Sequence, residues 1–282
     1  MQNDPNNPFQ LSPLEGHQDL ISQFITAFDE NRLHHAWLLS GPEGIGKAKL
    51  AQYLAAWLLS RPDDNNLSMF GEAAAPSAAS VFSLSEDDSD VRLVMSGTHP
   101  DLLTLSAESD EKNKSGQIKI EQVRKLPAFF SFSAARSGWR IAIIDSLDDI
   151  NRNGANAMLK TLEEPPPSLK FILATTEVRK IPVTILSRCQ RFDLKRVSVE
   201  QLCQHLKKIA DKEKGKISED AIKLIARTSE GSVRDSVSLL DRALISQSIN
   251  DNKQIEEILL NHSDVIAKLD GASPKRIIIV PG

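Results

Sequence analysis

Apolar positions along the chain follow two periods, and each change of period marks out an element. In "LISQFITAFDENRLHHAWLL" the residues Leu20, Ile21, Phe24, Ile25 and Phe28 recur at helical spacing, and Ala36 to Leu39 then forms a short continuous apolar run. The spacing predicts an amphipathic helix feeding a buried strand. That strand runs straight into the glycine-rich "SGPEGIGK", and Ala48 to Leu59 follows with good helix formers and an apolar stripe. Further strands are predicted in "HPDLLTL", "QIKI", "WRIAIID" and "KFILATT", with helices over "EQVRKLPAFFSF" and Arg152–Glu163 between them. The second of these helices meets Pro165 to Pro167, whose missing N–H donors stop it. Continuous apolar strands alternating with helices predict an α/β fold, a mainly parallel sheet with helices on both faces.

Two stretches break this pattern. From Arg61 to Gly97 the chain turns to Asp, Asn, Ser and Ala and ends in the acidic "SEDDSD", with little apolar surface to offset ordering entropy. A mobile insertion over residues 62–96 is expected there. Beyond Leu194 only helical periods remain, in "VEQLCQHLKKIADKE", "SEDAIKLIARTS" and "GSVRDSVSLLDRALISQ". The expected organisation is therefore an α/β domain over 1–195, a small all-α domain over 196–250 and a short tail over 251–282.

Composition narrows the function classes. Charged residues make up 26% and hydrophobic ones 40%, the balance of an ordinary globular protein, and no apolar run approaches the ~20 residues that span a bilayer. Two cysteines, Cys189 and Cys203, suffice for neither a disulfide framework nor a four-cysteine zinc site, and "MQNDPNNPFQ" is unlike a secretory signal, so a cytoplasmic protein without a metal or membrane partner is expected. The net charge of -4 speaks against a protein that grips DNA by coating it with lysines.

The strand, glycine loop and helix around "LLSGPEGIGKAKLAQYLA" supply the context of a phosphate-binding loop. Gly41, Gly44 and Gly46 let backbone N–H groups turn inward, and Lys47 would reach the terminal phosphates of a nucleotide. Ala48 stands where such loops carry the hydroxyl that binds magnesium. At the end of "IAIID", Asp145 is placed to orient a metal, but Ser146 follows where a water-polarising glutamate is usual; Asp148 and Asp149 lie past the strand on an expected solvated helix start. These two departures predict a nucleotide site that has lost hydrolysis. Thr175 or Thr176, closing "KFILATT", could sense a phosphate or be a satisfied strand-end residue. Arg188, in a compact Ser-Arg-Cys triplet, could insert its planar fork against a neighbour's phosphates.

"NAMLKTLEEPPPSLKFILATTEVRKIPVTILSRCQRF" resembles the signature of bacterial clamp-loader subunits of the AAA+ P-loop superfamily, and the motif order is similar from Leu14 to about Leu244. "HHAWLLSGPEGIGKA", "HPDL", "GWRIAIIDSLDDINRNGANAMLKTLEEPP" and "SRC" are most similar to the family's delta-prime branch, with the gamma or tau motor ATPases as the alternative. The resemblance implies an AAA+ sheet domain followed by a helical lid. It implies that Arg188 acts in trans as an arginine finger, and that ATP and magnesium are bound by neighbouring motor subunits, with none required here. It implies gamma/tau and delta subunits as partners, and the sliding clamp and primed DNA through the complex. "EGSVRDSVSLLDRA" resembles the second-sensor helix of the lid, which would turn Arg234 towards the subunit's own nucleotide pocket; as an ordinary helix-start residue it would instead pair with Asp235 or Glu230. The family's collar domain is expected to be missing or truncated after residue 251.

Overall fold

The computed structural model describes residues 16–61, 82–110, 113–136, 138–166, 168–213, 215 and 217–245. The first part of the expected insertion, 62–81, and the expected tail, 251–282, lie outside the described residues. The chain divides into two compact units between Lys195 and Arg196. Among the described residues no helix is long and apolar enough to cross a membrane.

In the larger unit α1 (Gln18–Asp29) leads into β1 (Ala36–Ser40) and α2 (Lys47–Leu59). Then come α3 (Ser89–Met95), β2 (Leu102–Ser106), a small antiparallel pair β3 (Glu108–Asp110) and β4 (Asn113–Gln117), α4 (Ile120–Val123) and α5 (Lys125–Ser131). The rest is β5 (Arg140–Asp145), α6 (Arg152–Glu163), β6 (Leu169–Thr175), α7 (Val183–Leu186) and β7 (Gln190–Asp193). Five strands form one parallel sheet in the order β2-β5-β6-β1-β7.

Both faces of that sheet are covered, which is why β1 and β6 are buried at every position. Trp37, Leu39, Ile141, Ile143 and Ile172 point to one face and pack on α1, α2 and α3 through Phe24, Leu54, Trp57 and Val91. Their neighbours Ala36, Leu38, Ala142, Ile144, Phe171 and Leu173 point to the other and meet Val123, Leu126, Met158, Leu162 and Ile185 of α4 to α7. The two-residue alternation of a strand thus builds a three-layered α/β fold, with helices on both faces of a parallel sheet.

Four elements differ from expectation. Residues 89–95 of the expected mobile segment are helical: the Asp88 side chain accepts from the N–H groups of Asp90 and Val91, and Val91 and Val94 are buried. "QIKI" does not form a strand of the main sheet; β4 ends at Gln117, and Ile118 makes only an isolated bridge to Ile150. The helix expected over "EQVRKLPAFFSF" is broken at Arg124, because Pro127 has no N–H to give the carbonyl of Val123 and its ring crowds that carbonyl. β7 escapes an apolar-run reading since only Phe192 of its four residues is buried.

The smaller unit is a helical lid of α8 (Val199–Lys212), α9 (Glu219–Thr228) and α10 (Val233–Ile245). Ser198 and Gln201 close a capping box on α8, and Ser218 caps α9. Leu202, Leu206, Ile222, Ile225, Leu239 and Leu240 form its core.

Candidate functional site

Parallel pairing aligns the carboxyl ends of the strands, with Ser40 opposite both Thr175 and Asp193. In open α/β sheets this edge is where ligands bind. The glycine loop begins here. Gly41 donates its N–H to the Thr175 carbonyl at 3.3 Å. A Cβ on Gly41 would sit 2.7 Å from the Leu194 carbonyl oxygen, so only glycine fits. Gly44 and Gly46 hold φ of 78° and 92°, conformations that side-chain-bearing residues rarely adopt. His17 meets the Ile45 carbonyl at 3.0 Å and ties the loop to the start of α1.

Lys47 opens α2 and is buried, with its ammonium donating to the carbonyls of Gly41 and Pro42 at 2.7 and 2.6 Å. The ammonium thus ties the start of α2 back to the first residues of the loop. Ala48 offers no oxygen to a magnesium ion. Asp145 ends β5 half-buried, and Ser146 takes a left-handed φ of 66°, a strained state for a residue with a side chain.

Asp148 and Asp149 do lie in a short helix, the single 3-10 turn Leu147–Asp149, but it packs against β6 and leaves both half-buried rather than solvated. Thr175 Oγ1 donates to Asp148 Oδ1 at 2.7 Å, and Thr176 Oγ1 donates to Oδ2 at 2.8 Å. The Thr176 N–H adds a third bond at 3.2 Å. Burial works to raise the Asp148 carboxyl's pKa, but these donors outweigh it and hold the pKa below its ordinary value. Burial and the neighbouring Asp148 charge push Asp149 the other way. Thr175 also accepts from the Glu177 N–H at 3.1 Å and is fully buried, so its hydroxyl both donates and accepts within the protein.

Arg188 follows α7. Its guanidinium donates to the Thr184 carbonyl at 2.6 Å and to Glu163 Oε1 at 2.8 Å, and its side chain remains 32% exposed. The sheet edge thus gathers Gly41, Gly44, Gly46, Lys47, Asp145 and Thr175, while Arg188 is held at the far end of α6. The Cys189 thiol beside it is pushed by burial up to about 12, far from reactive thiolate. Arg234 is exposed in the first turn of α10, in the lid.

"HPDL" proves to be a buried polar knot. Asp101 accepts N–H bonds from Ala135 and Arg136 at 2.7 and 2.9 Å and lies 3.6 Å from the Arg140 guanidinium. His99 Nδ1 accepts the Asp101 N–H at 3.0 Å, and burial lowers its pKa even with Asp90 close by. Sequence reading missed Asp148, Glu163 and the Asp101 knot as parts of the architecture; the polar residues were visible, but their partners come from distant elements.

Residues 16–198 match the family model described as DNA polymerase III, delta subunit, and residues 201–248 match DNA polymerase III clamp loader subunit, ATPase lid domain. The chain is 34% identical to DNA polymerase III subunit tau of Escherichia coli K12 over 239 residues, covering 85% of this chain and 34% of that protein. It is 32% identical to subunit gamma of Buchnera aphidicola subsp. Schizaphis graminum over 253 residues, covering 89% and 63%. The chain spans about a third of the length of the tau relatives it matches. In fold it is similar to the RuvB Holliday junction branch migration motor of Thermotoga maritima, with a TM-score of 0.54 and 18% identity over 93% of this chain and 73% of that one.

Proposed function

The chain belongs to the DNA polymerase III clamp-loader family, and from that premise we propose that it is a non-hydrolysing AAA+ subunit of the delta-prime kind. In this reading it works in the cytoplasm beside gamma/tau and delta subunits, and Arg188 completes a neighbour's ATP site while the complex loads a sliding clamp onto primed DNA. One observation carries the reading: Ala48 and Ser146 leave the loop without its metal hydroxyl and the strand end without its base. Occupation of the Thr175 hydroxyl by Asp148 and Glu177 supports it, because that group is committed inside the protein. ATP and magnesium are then the neighbour's, and Lys47 retains at most a phosphate-holding role.

The second reading is a gamma/tau-type motor ATPase, and it is favoured by the names of the relatives, which are tau and gamma subunits. Purified protein separates the two. The first reading expects no ATP turnover above background; turnover abolished by Lys47→Ala would establish the motor instead. In a reconstituted complex Arg188→Ala is expected to leave assembly intact and to lower clamp- and DNA-stimulated ATPase by about tenfold or more, since a guanidinium on transferring phosphate stabilises charge that grows in the transition state. Arg188→Lys is expected to recover only part of that loss.

A further inference from the structure

Glu163 closes α6 in a place where a carboxylate has no local reason to be. The carbonyl end of a helix carries partial negative charge, which disfavours an anion in the last turn. Glu164 follows with a non-helical backbone, and Pro165 fixes the exit, so the position of Glu163 is set by the end of a helix whose Met158 and Leu162 are buried. Across from it α7 is anchored by Ile185, buried in the same core. The end of α6 and the turn that follows α7 therefore bring a carboxylate and a guanidinium together, with Nη2 of Arg188 donating to Glu163 Oε1 at 2.8 Å. On the other nitrogen, Nη1 donates to the Thr184 carbonyl at 2.6 Å and meets Ser187 Oγ at 3.3 Å.

We infer that Glu163 is a positioning residue for Arg188, holding the guanidinium in one orientation before a phosphate arrives. The inference rests on the trans-acting reading above. An arginine side chain freed in solution samples many rotamers, and ordering it during the encounter with a partner subtracts from what the contact contributes. The carboxylate and the Thr184 carbonyl meet that cost within the free subunit. The Glu163 side chain is 48% exposed and solvent screens its charge, so orientation outweighs neutralisation of the arginine. These two effects have opposite signs: a residue that merely quenched Arg188 would speed the neighbour's reaction when removed, and one that orients it would slow that reaction.

The experiment uses the reconstituted complex with Glu163→Gln, Glu163→Asp, Arg188→Ala and the Glu163→Gln/Arg188→Ala pair, reading clamp- and DNA-stimulated ATPase at saturating ATP together with the KM for ATP. Glu163→Gln is expected to lower kcat by about threefold to tenfold with little change in KM, and Glu163→Asp to retain more activity than Glu163→Gln. In the double variant the loss is expected to equal that of Arg188→Ala alone, because Glu163 acts only through the arginine. A general structural role would instead give additive losses and a lowered Tm for Glu163→Gln. Additive losses, or an unchanged or raised kcat in Glu163→Gln while Arg188→Ala is impaired, would overturn the inference. Normal activity of Arg188→Ala is a different result, since it removes the trans-acting reading and this inference together.

Discussion

Buried charge decides much at the scale of single residues. Asp101 is fully buried and accepts from two backbone N–H groups beside Arg140, so Asp101→Ala would strand both donors and leave the guanidinium without its carboxylate. The expected loss is about 3 kcal/mol, read from the urea midpoint; a midpoint within error of the unmutated protein would show that the knot is not structural. Lys170 is the opposite case. It sits in β6 with its ammonium donating to the Leu33 carbonyl at 2.8 Å and 4.9 Å from the centre of the Trp139 ring, and burial lowers its pKa from 10.5 to about 8. The unfolded chain thus holds this proton more tightly than the folded one. The resulting penalty is complete below about pH 8 and fades as pH rises towards 10.5. Lys170→Met is therefore expected to stabilise the protein by about 1–2 kcal/mol at pH 7, after allowing for the lost bond to Leu33, and to lose that advantage by about pH 10. Parallel stability curves for the two proteins from pH 7 to pH 10 would contradict this.

At the scale of elements, α3 shows how far composition can mislead. Its surroundings are acidic and polar, but Val91 and Val94 each lie 1% exposed in the core beneath the sheet. Val91→Asp is expected to cost about 3 kcal/mol or more, because it buries an unpaired carboxylate, while Asp87→Ala on the exposed turn should stay within about 0.5 kcal/mol. Urea unfolding of the two variants checks the contrast. The strands β1, β5 and β6 were legible because strands covered on both faces must be apolar throughout, and α6 because Pro165 marks its end. The glycine loop was legible as well, since its residues are contiguous and each glycine answers a local backbone demand. β7 was not, because an edge strand needs only one inward residue. Nor were the bonds of Thr175 to Asp148, 27 residues away, or of Arg188 to Glu163, 25 residues away. Such pairs depend on how strands and helices align, which a local pattern does not contain.

On the scale of the whole molecule, the two units have unequal means of holding themselves together. Among the described residues the sheet unit has a core on each face, whereas the lid has one small core among three helices. A fragment of residues 1–195 is expected to unfold cooperatively, while residues 196–248 alone, a piece of about 50 residues, should be marginal at best. Circular dichroism in urea tests this, and a lid fragment as resistant as the sheet unit would count against it. The strand order has a further consequence, which concerns time. β1 lies between β6 and β7, so the sheet's second-last position is filled by the first strand to be made. At a synthesis rate of ~5–20 residues per second, β1 waits roughly 8–30 s for its last partner to leave the ribosome. Until β6 emerges, Trp37, Leu38 and Leu39 have no sheet to enter, and nascent chains stalled before β6 are expected to be protease-sensitive around β1 and to recruit chaperones, whereas chains released beyond β7 are not.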